Sequence, residues 1–146
     1  MRQFVSFLFL ILLIISCNGK KKQDSLVTDK NAEYIYDQLP DSLRPQIQFS
    51  HAEHNFGTFS NSTIKKVAFE FKNIGKSPLI LHNVHGNCGC VTVMFTKRPI
   101  QPGQNGSIIV TYNGREYEKG KFVKEIVVNS NAVNRYFNLQ IKGETK

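Results

Sequence analysis

The sequence predicts an all-β fold, a single β-sandwich of about seven strands preceded by a signal peptide and a tether. From residue 46 onward, short apolar runs alternate with turn residues about every ten to fifteen positions, which is typical of a sandwich. In residues 65–73, apolar side chains alternate with polar ones, so one face of this strand is expected to be buried. Helical patterning of useful length is absent from this region. About 100 residues with this pattern fit one sandwich.

Breaks in the apolar pattern set the bounds of the predicted strands. Pro102-Gly103 supplies turn residues between two runs, and Gly120 can adopt a positive φ between two others. The predicted strands are residues 47–50 with 55–59, 65–73, 79–85, 91–95, 106–113, 121–129 and 135–142. The sandwich domain is therefore expected to span residues 46–146.

Residues 1–16 have the pattern of a secretory signal peptide. Arg2 precedes an apolar run over residues 4–15, which only Ser6 interrupts. As a helix, residues 4–16 span about 20 Å, whereas the hydrocarbon core of a bilayer is about 30 Å thick. A permanent transmembrane helix is therefore disfavoured.

The apolar run ends in Leu13-Ile14-Ile15-Ser16-Cys17, which resembles the lipobox of bacterial lipoproteins. This resemblance implies cleavage after Ser16, a diacylglyceryl group on the Cys17 thiol and a mature chain that begins at Cys17. Several acyl chains give stable anchoring, so the expected location is the bacterial cell envelope, on a periplasmic or cell-surface face. Residues 17–45 are interpreted as the lipidated N-terminus and a tether, because they hold a lysine run and two prolines but no sustained strand pattern.

The net charge of +8 raises the question of a nucleic-acid partner, since clustered Lys and Arg displace counterions from phosphate. An exported protein meets anionic lipid and glycolipid surfaces instead, so nucleic acid is not an expected partner. The basic excess is interpreted either as weak attraction to such surfaces or as a scattered, solvated surface. The expected membrane contact is the N-terminal lipid.

Five short motifs occur in a fixed order along the predicted domain. They are Phe56-Gly57-Thr58, Phe71-Lys72-Asn73-Ile74-Gly75, Cys88-Gly89-Cys90, Ile100-Gln101-Pro102-Gly103 and Val128-Asn129-Ser130-Asn131. This set resembles domain-of-unknown-function family 1573, bacterial envelope proteins that are often lipoproteins with a Cys-Gly-Cys signature. The layout is also similar to immunoglobulin-like sandwiches around major sperm protein, which bind other macromolecules. The resemblance implies the fold and attaches no activity to it.

Cys88 and Cys90 form an even pair once Cys17 carries lipid, in a compartment that permits disulfides. In an extended strand their Cα atoms lie about 6.5 Å apart, near the upper limit for a disulfide, and Gly89 can bend the chain and shorten this distance. So small a loop removes little entropy from the unfolded chain. Three interpretations stay open: a local structural disulfide, free packed thiols, or a pair that exchanges thiols or binds a metal.

Metal binding has one argument for it and one against it. His82, His85, Cys88 and Cys90 lie within nine positions and combine imidazole with thiolate, which suits Cu(I) or Zn. His82 and His85 are three residues apart, so they project to opposite sides of a strand unless the strand has ended by Val84. The four residues are retained as metal candidates, although no cofactor is expected.

The sequence contains no recognisable catalytic motif: a Gly-x-Ser-x-Gly elbow, a His-Glu-x-x-His pair, a phosphate-binding glycine loop and a Cys-x-x-Cys pair are all absent. We therefore expect no enzyme and no catalytic residue. The first functional hypothesis is a lipid-anchored interaction or structural module that meets a protein or glycan partner in the envelope. The alternative is a thiol-redox or metal-binding protein that uses Cys88 and Cys90.

Overall fold

The alternating apolar pattern forms eight strands in the computed structural model, which describes residues 38–146. The predicted signal peptide, Cys17 and most of the tether lie outside the described residues. A single 3₁₀ turn, Asp41–Leu43, precedes the strands, and no helix in this part of the chain is long and apolar enough to cross a bilayer. The strands are β1 Ile47–Phe49, β2 Glu53–Phe59, β3 Lys65–Asn73, β4 Leu81–Gly86, β5 Val91–Phe95, β6 Asn105–Tyr112, β7 Gly120–Ser130 and β8 Tyr136–Thr145.

The strands form two four-stranded sheets. The first sheet has the order β1-β3-β6-β5 and the second sheet the order β2-β8-β7-β4. Neighbouring strands are antiparallel except β2 and β8, which are parallel. The predicted all-β, immunoglobulin-like sandwich is therefore confirmed.

One predicted strand is two strands that belong to different sheets. The sequence pattern predicts one element from residues 47–50 and 55–59, whereas β1 pairs with β3 and β2 pairs with β8. The chain crosses between the sheets over a short distance, because the Ser50 N–H still bonds Glu70 in the first sheet and the Ala52 carbonyl already accepts from Gln140 in the second. The count therefore rises from about seven strands to eight.

The core lies between the two sheets and follows from the side-chain alternation. In β3, the inward positions Phe69 and Phe71 are buried, while the alternate positions Ala68 and Glu70 are exposed. Fully burying one such large apolar side chain contributes about 1.5–3 kcal/mol relative to exposure. The other buried side chains of the core come from all parts of the domain: Leu79, Leu81, Val84, Cys90, Val91, Ile100, Ile108, Val110, Tyr112, Ile126, Val128, Ala132, Leu139 and Ile141.

Candidate functional site

The edge strands of the two sheets present backbone groups that no neighbouring strand takes up, and such groups can pair with another chain. Natural edges are protected by charge, by bulges or by shortness. β1 is only three residues long, and the part of β3 that it leaves uncovered begins with Lys65 and Lys66. β2 contains Glu53 and an irregular register around Gly57, and β4 has a register shift just after Leu81.

β5 lacks all three kinds of protection. Its five residues, Val91-Thr92-Val93-Met94-Phe95, include no charged side chain. Its register with β6 runs without a shift from Val91 to Phe95. Within residues 38–146, β5 is therefore the edge best suited to accept an additional strand.

The register shows which backbone groups of β5 face outward. The Thr96 N–H donates to the Ser107 carbonyl at 3.1 Å, and the Asn113 N–H donates to the Cys90 carbonyl at 2.9 Å. Bonded and non-bonded positions alternate in an antiparallel pair, so Thr92 and Met94 direct their N–H and C=O groups to β6. Val93 and Phe95 then direct theirs away from the sheet.

An apolar row lies on the outer face beside this edge. Met94 is 58% exposed, lies opposite Ile109 in β6, and Ile109 lies opposite Ala68 in β3. At the end of β5, the Lys97 ammonium lies 3.6 Å from the centre of the Phe95 ring. A chain bound along β5 would therefore contact apolar side chains on one face of the sheet. It would also lie close to the Lys97 ammonium at the end of β5.

The loop between β4 and β5 contains the predicted cysteine pair, joined by a disulfide with a Cα–Cα distance of 5.2 Å. This distance is shorter than in an extended strand because the two residues lie in a turn between the strands. The Cys90 N–H lies 3.0 Å from the Cys88 sulfur, and the Val91 N–H bonds the Cys88 carbonyl. A side chain at Gly89 would come within 2.9 Å of the Tyr117 hydroxyl, the outer end of an exposed ring that would have to move aside.

The two cysteines differ in environment. Cys90 is 2% exposed and belongs to the core, whereas Cys88 is only partly buried. An attacking group from solvent therefore reaches Cys88 first. The loop joins the two edge strands on this side of the sandwich, so its conformation determines where β5 begins.

The histidines are not brought together with the cysteines. His85 is exposed and its Nδ1 lies 3.3 Å from the Asn83 amide nitrogen, while His82 is partly buried in β4. Among residues 38–146, no group of three or more His, Cys, Asp or Glu side chains is placed to hold a metal ion. The described geometry gives no support to the metal alternative.

One hydroxyl–imidazole pair has the residue types of a nucleophile and a base. The Ser50 Oγ lies 3.0 Å from the His51 Nδ1 and also donates to the Glu70 carbonyl at 3.0 Å. The His51 ring packs against Phe69, and no carboxylate of the described chain bonds it. A catalytic triad needs a third group to orient the imidazole, so this arrangement resembles an ordinary surface contact.

Sequence reasoning did not identify the β5 edge. Which strand lies at an edge depends on the sheet order, and the outward direction of Val93 and Phe95 depends on the register with β6. The absence of charge over residues 91–95 was the one available signal. It became informative only after the other edges proved to be charged, irregular or short.

The strand order and the packing of the two sheets place the domain in the immunoglobulin-like class of β-sandwiches. Residues 47–145 match the family described as "Protein of unknown function (DUF1573)". The match covers more than half of the chain, so the protein belongs to this family, and the resemblance inferred from the five motifs is confirmed. No curated protein matches the sequence significantly.

Three solved structures show how widely the fold occurs. A protein of unknown function from Porphyromonas gingivalis W83 is similar with a TM-score of 0.63 at 18% identity, over 74% of this chain and 50% of that one. The ASH / PapD-like domain 7 of human CEP192 gives a TM-score of 0.57 at 11% identity, over 74% and 89% of the two chains. The Vibrio cholerae VesB protease gives 0.52 at 15% identity, over 68% and 32%.

These similarities concern the fold alone. This chain spans half the length of the P. gingivalis protein and about a third of VesB. A sandwich that occurs both in a PapD-like domain and within a protease does not determine function, which depends on the site.

Proposed function

We propose that this protein is a lipid-anchored protein of the bacterial cell envelope whose sandwich binds a partner protein through the β5 edge. The observation that carries the proposal is the uncharged, regular edge of β5, with the backbone groups of Val93 and Phe95 directed outward. Addition of a strand to an exposed sheet edge is an established mode of peptide recognition. The immunoglobulin-like, PapD-like fold is compatible with an interaction module.

The chemistry of this mode suits an extended segment of the partner. Val93 and Phe95 together offer two N–H donors and two C=O acceptors, and each backbone hydrogen bond contributes about 0.5–1.5 kcal/mol net. Alternate side chains of the added strand point to opposite faces of the sheet, so one set packs beside Met94. Backbone pairing provides affinity and the side chains beside Met94 provide selectivity.

The anchor supplies the other half of the proposal. Lipid on Cys17 holds the mature chain at a membrane. Arg44 and Pro45 already pack on the domain, so the residues before 38 set the reach, up to about 70 Å if fully extended. The three lysines next to the lipid add attraction to anionic headgroups. The partner is therefore expected in the envelope, within reach of this tether.

The edge is tested by photo-crosslinking from position 94 in intact envelopes that contain the full-length chain. Val93→Pro removes an outward N–H without removing a bond to β6, and Val93→Ala removes the side chain but keeps that N–H. We expect a specific crosslink that Val93→Pro abolishes and Val93→Ala retains, with no equivalent product from a crosslinker at position 123. Equal crosslinking in both variants, or no product from position 94, would contradict the proposal.

The anchor is tested separately by metabolic labelling with palmitate. The wild-type chain is expected to carry label and to sediment with membranes, and Cys17→Ala is expected to lose both properties. Label that persists in Cys17→Ala would disprove the lipid assignment while leaving the β5 proposal standing.

A second candidate function is thiol exchange at the Cys88–Cys90 loop, which the partial exposure of Cys88 favours. An incoming thiolate would attack the Cys88 sulfur, the Cys88–Cys90 bond would break, and Cys90 would leave as a thiolate. Incubation with glutathione followed by mass measurement tests this step. A mixed disulfide on Cys88 supports exchange, and an intact internal disulfide at equilibrium with excess thiol excludes it.

A further inference from the structure

The outer face of the second sheet carries a patch whose composition differs from the rest of the surface. Six side chains from three neighbouring strands form it, in two rows of directly opposed residues. One row contains Asn83, Asn129 and Tyr136, and the other contains His85, Val127 and Asn138. We call these six residues the amide patch.

The amide patch contains three asparagines where a strand ordinarily disfavours them. Asn is depleted in strands, and β-branched or aromatic residues are the common choice for their positions. Asn129 and Asn138 lie on β7 and β8, the two central strands of the second sheet. Neither side-chain amide makes a hydrogen bond to another group of residues 38–146, so the fold gains nothing from them that is visible in this part of the chain.

The available side chains combine amide groups with one aromatic ring. Each asparagine offers two N–H donors and a carbonyl acceptor on one side chain. Tyr136 is 65% exposed, the most exposed large apolar side chain of the described residues. The contact between Asn83 and His85 holds two of the polar groups side by side on β4.

The charge of the patch narrows the choice of ligand. The six positions include no Lys, Arg, Asp or Glu, in a chain with a net charge of +8. The adjoining row of the same face has Gln140 opposite both Glu125 and Glu53, and Glu53 forms an ion pair with Lys142 at 2.9 Å. The patch itself therefore offers no charged side chain to an anionic ligand, which would pair more favourably with the lysines elsewhere.

We propose that the amide patch binds an uncharged polysaccharide. Vicinal hydroxyls both donate and accept hydrogen bonds, which matches the paired donor and acceptor of an asparagine amide. The C–H face of a sugar ring is apolar and packs on the negative face of a tyrosine ring. Three strands about 4.8 Å apart and two rows about 7 Å apart give the patch the extent of one or two sugar rings. This site is separate from the β5 edge and does not depend on it.

The proposal is tested by measuring binding of the full-length chain, in detergent, to neutral glycans. These are dextran, laminarin and chitohexaose, and heparin and polygalacturonate serve as anionic comparisons. The variants are Tyr136→Ala, which removes the ring, Tyr136→Phe, which keeps it, and Asn138→Ala. Ile64→Ala is the control, because Ile64 is an exposed apolar side chain outside both the amide patch and the β5 edge. We expect one neutral glycan to bind, Tyr136→Ala to weaken this binding about tenfold, and Tyr136→Phe and Ile64→Ala to retain it.

Three results would overturn the proposal: no binding to any of the neutral glycans at millimolar concentration, binding confined to the anionic polymers, or equal affinity of the wild type and Tyr136→Ala. A photo-crosslink from position 136 to an envelope protein, without any glycan binding, would likewise assign the patch to a protein instead. The Val93→Pro variant should bind the glycan normally, so failure of the β5 proposal and failure of this one are distinguishable.

Discussion

Asn73 and Asn131, one from each sheet, fix the segment that precedes β4 by side-chain hydrogen bonds to its backbone. Asn73, at the end of β3, donates to the Ser77 carbonyl at 2.8 Å, and Asn131, which follows β7, donates to the Pro78 carbonyl at 3.1 Å. The Asn131 side chain also accepts from the Ile80 N–H at 2.8 Å. Both asparagines belong to the motifs that identify the family, and the structure gives the physical reason for their presence.

The first prediction concerns Asn73, which is 0% exposed. Its amide bonds the Ser77 and Ile100 carbonyls and accepts from the Gly75 N–H. Asn73→Ala removes all three bonds, and only the Ile100 carbonyl keeps another donor, the Leu79 N–H. We therefore expect a loss of about 2–4 kcal/mol in the free energy of unfolding. Denaturant unfolding measures it, with the exposed Asn138→Ala as a control that stays within about 0.5 kcal/mol. Equal stability of the two variants would show that the hydrogen bonds of Asn73 do not contribute to the free energy of unfolding.

The second prediction contrasts two glycines. A Cβ at Gly106 would come within 2.7 Å of Ile100 Cδ1 and 2.8 Å of the Phe71 ring, whereas Gly103 has a φ of +79° and open space around it. Gly106→Ala therefore overpacks the core and is expected to cost about 1–3 kcal/mol. Gly103→Asn is expected to cost less than about 1 kcal/mol, because Asn tolerates the left-handed conformation. The reverse order in thermal unfolding would mean that the core accommodates the extra methyl group.

The third prediction concerns the disulfide. A closed loop of residues 88–90 removes little entropy from the unfolded chain, so reduction is expected to cost only about 1.5 kcal/mol and to leave the domain folded. Both substitutions break the disulfide, and Cys90→Ser should cost more than Cys88→Ser, since its hydroxyl replaces a buried sulfur atom in the core. Thermal unfolding with and without reductant measures both effects. Global unfolding on reduction would contradict the local role assigned here.

The fourth prediction is a pH dependence of stability. Burial, with a smaller contribution from Tyr117, raises the pKa of Tyr112 above its ordinary value of 10.0. Above pH 10.0 the unfolded chain releases this proton while the folded chain still holds it, so stability falls as the pH rises through the folded pKa.

Tyr112→Phe keeps the stacked contact with Phe122, whose ring centre lies 4.2 Å away, and removes the titrating group. Unfolding is therefore measured for both proteins at about pH 8 and about pH 11. The wild type is expected to lose more stability than Tyr112→Phe over this interval. Parallel losses would show that Tyr112 titrates alike in the folded and unfolded chains.

The fold was predictable because most strands alternate clearly. β3 has the predicted bounds, Lys65–Asn73, and β5 has them as well, Val91–Phe95. The division between β1 and β2 was not predictable, since it depends on bonds from Ser50 and Ala52 to Glu70 and Gln140, which are distant in sequence. Local alternation specifies a strand but not the sheet to which it belongs.

The candidate site was predictable only where its chemistry is local. The adjacency of Cys88 and Cys90 indicated a short-range pair, and the 5.2 Å separation of their Cα atoms fits the bend expected from Gly89. The amide patch could not be predicted from the sequence, because Asn83, Asn129 and Tyr136 become neighbours only when β4, β7 and β8 pair in this register. Sites of this kind follow from strand order, which a single sequence does not specify.

The most direct test of binding through β5 is hydrogen exchange at the backbone amides of Val93 and Phe95. It is measured on the full-length chain, alone and bound to the envelope partner identified by crosslinking. The account predicts that both amides exchange rapidly in the free protein and become protected in the complex, while Thr92 and Met94 are protected in both. A stable complex in which Val93 and Phe95 exchange as fast as in the free protein would contradict it.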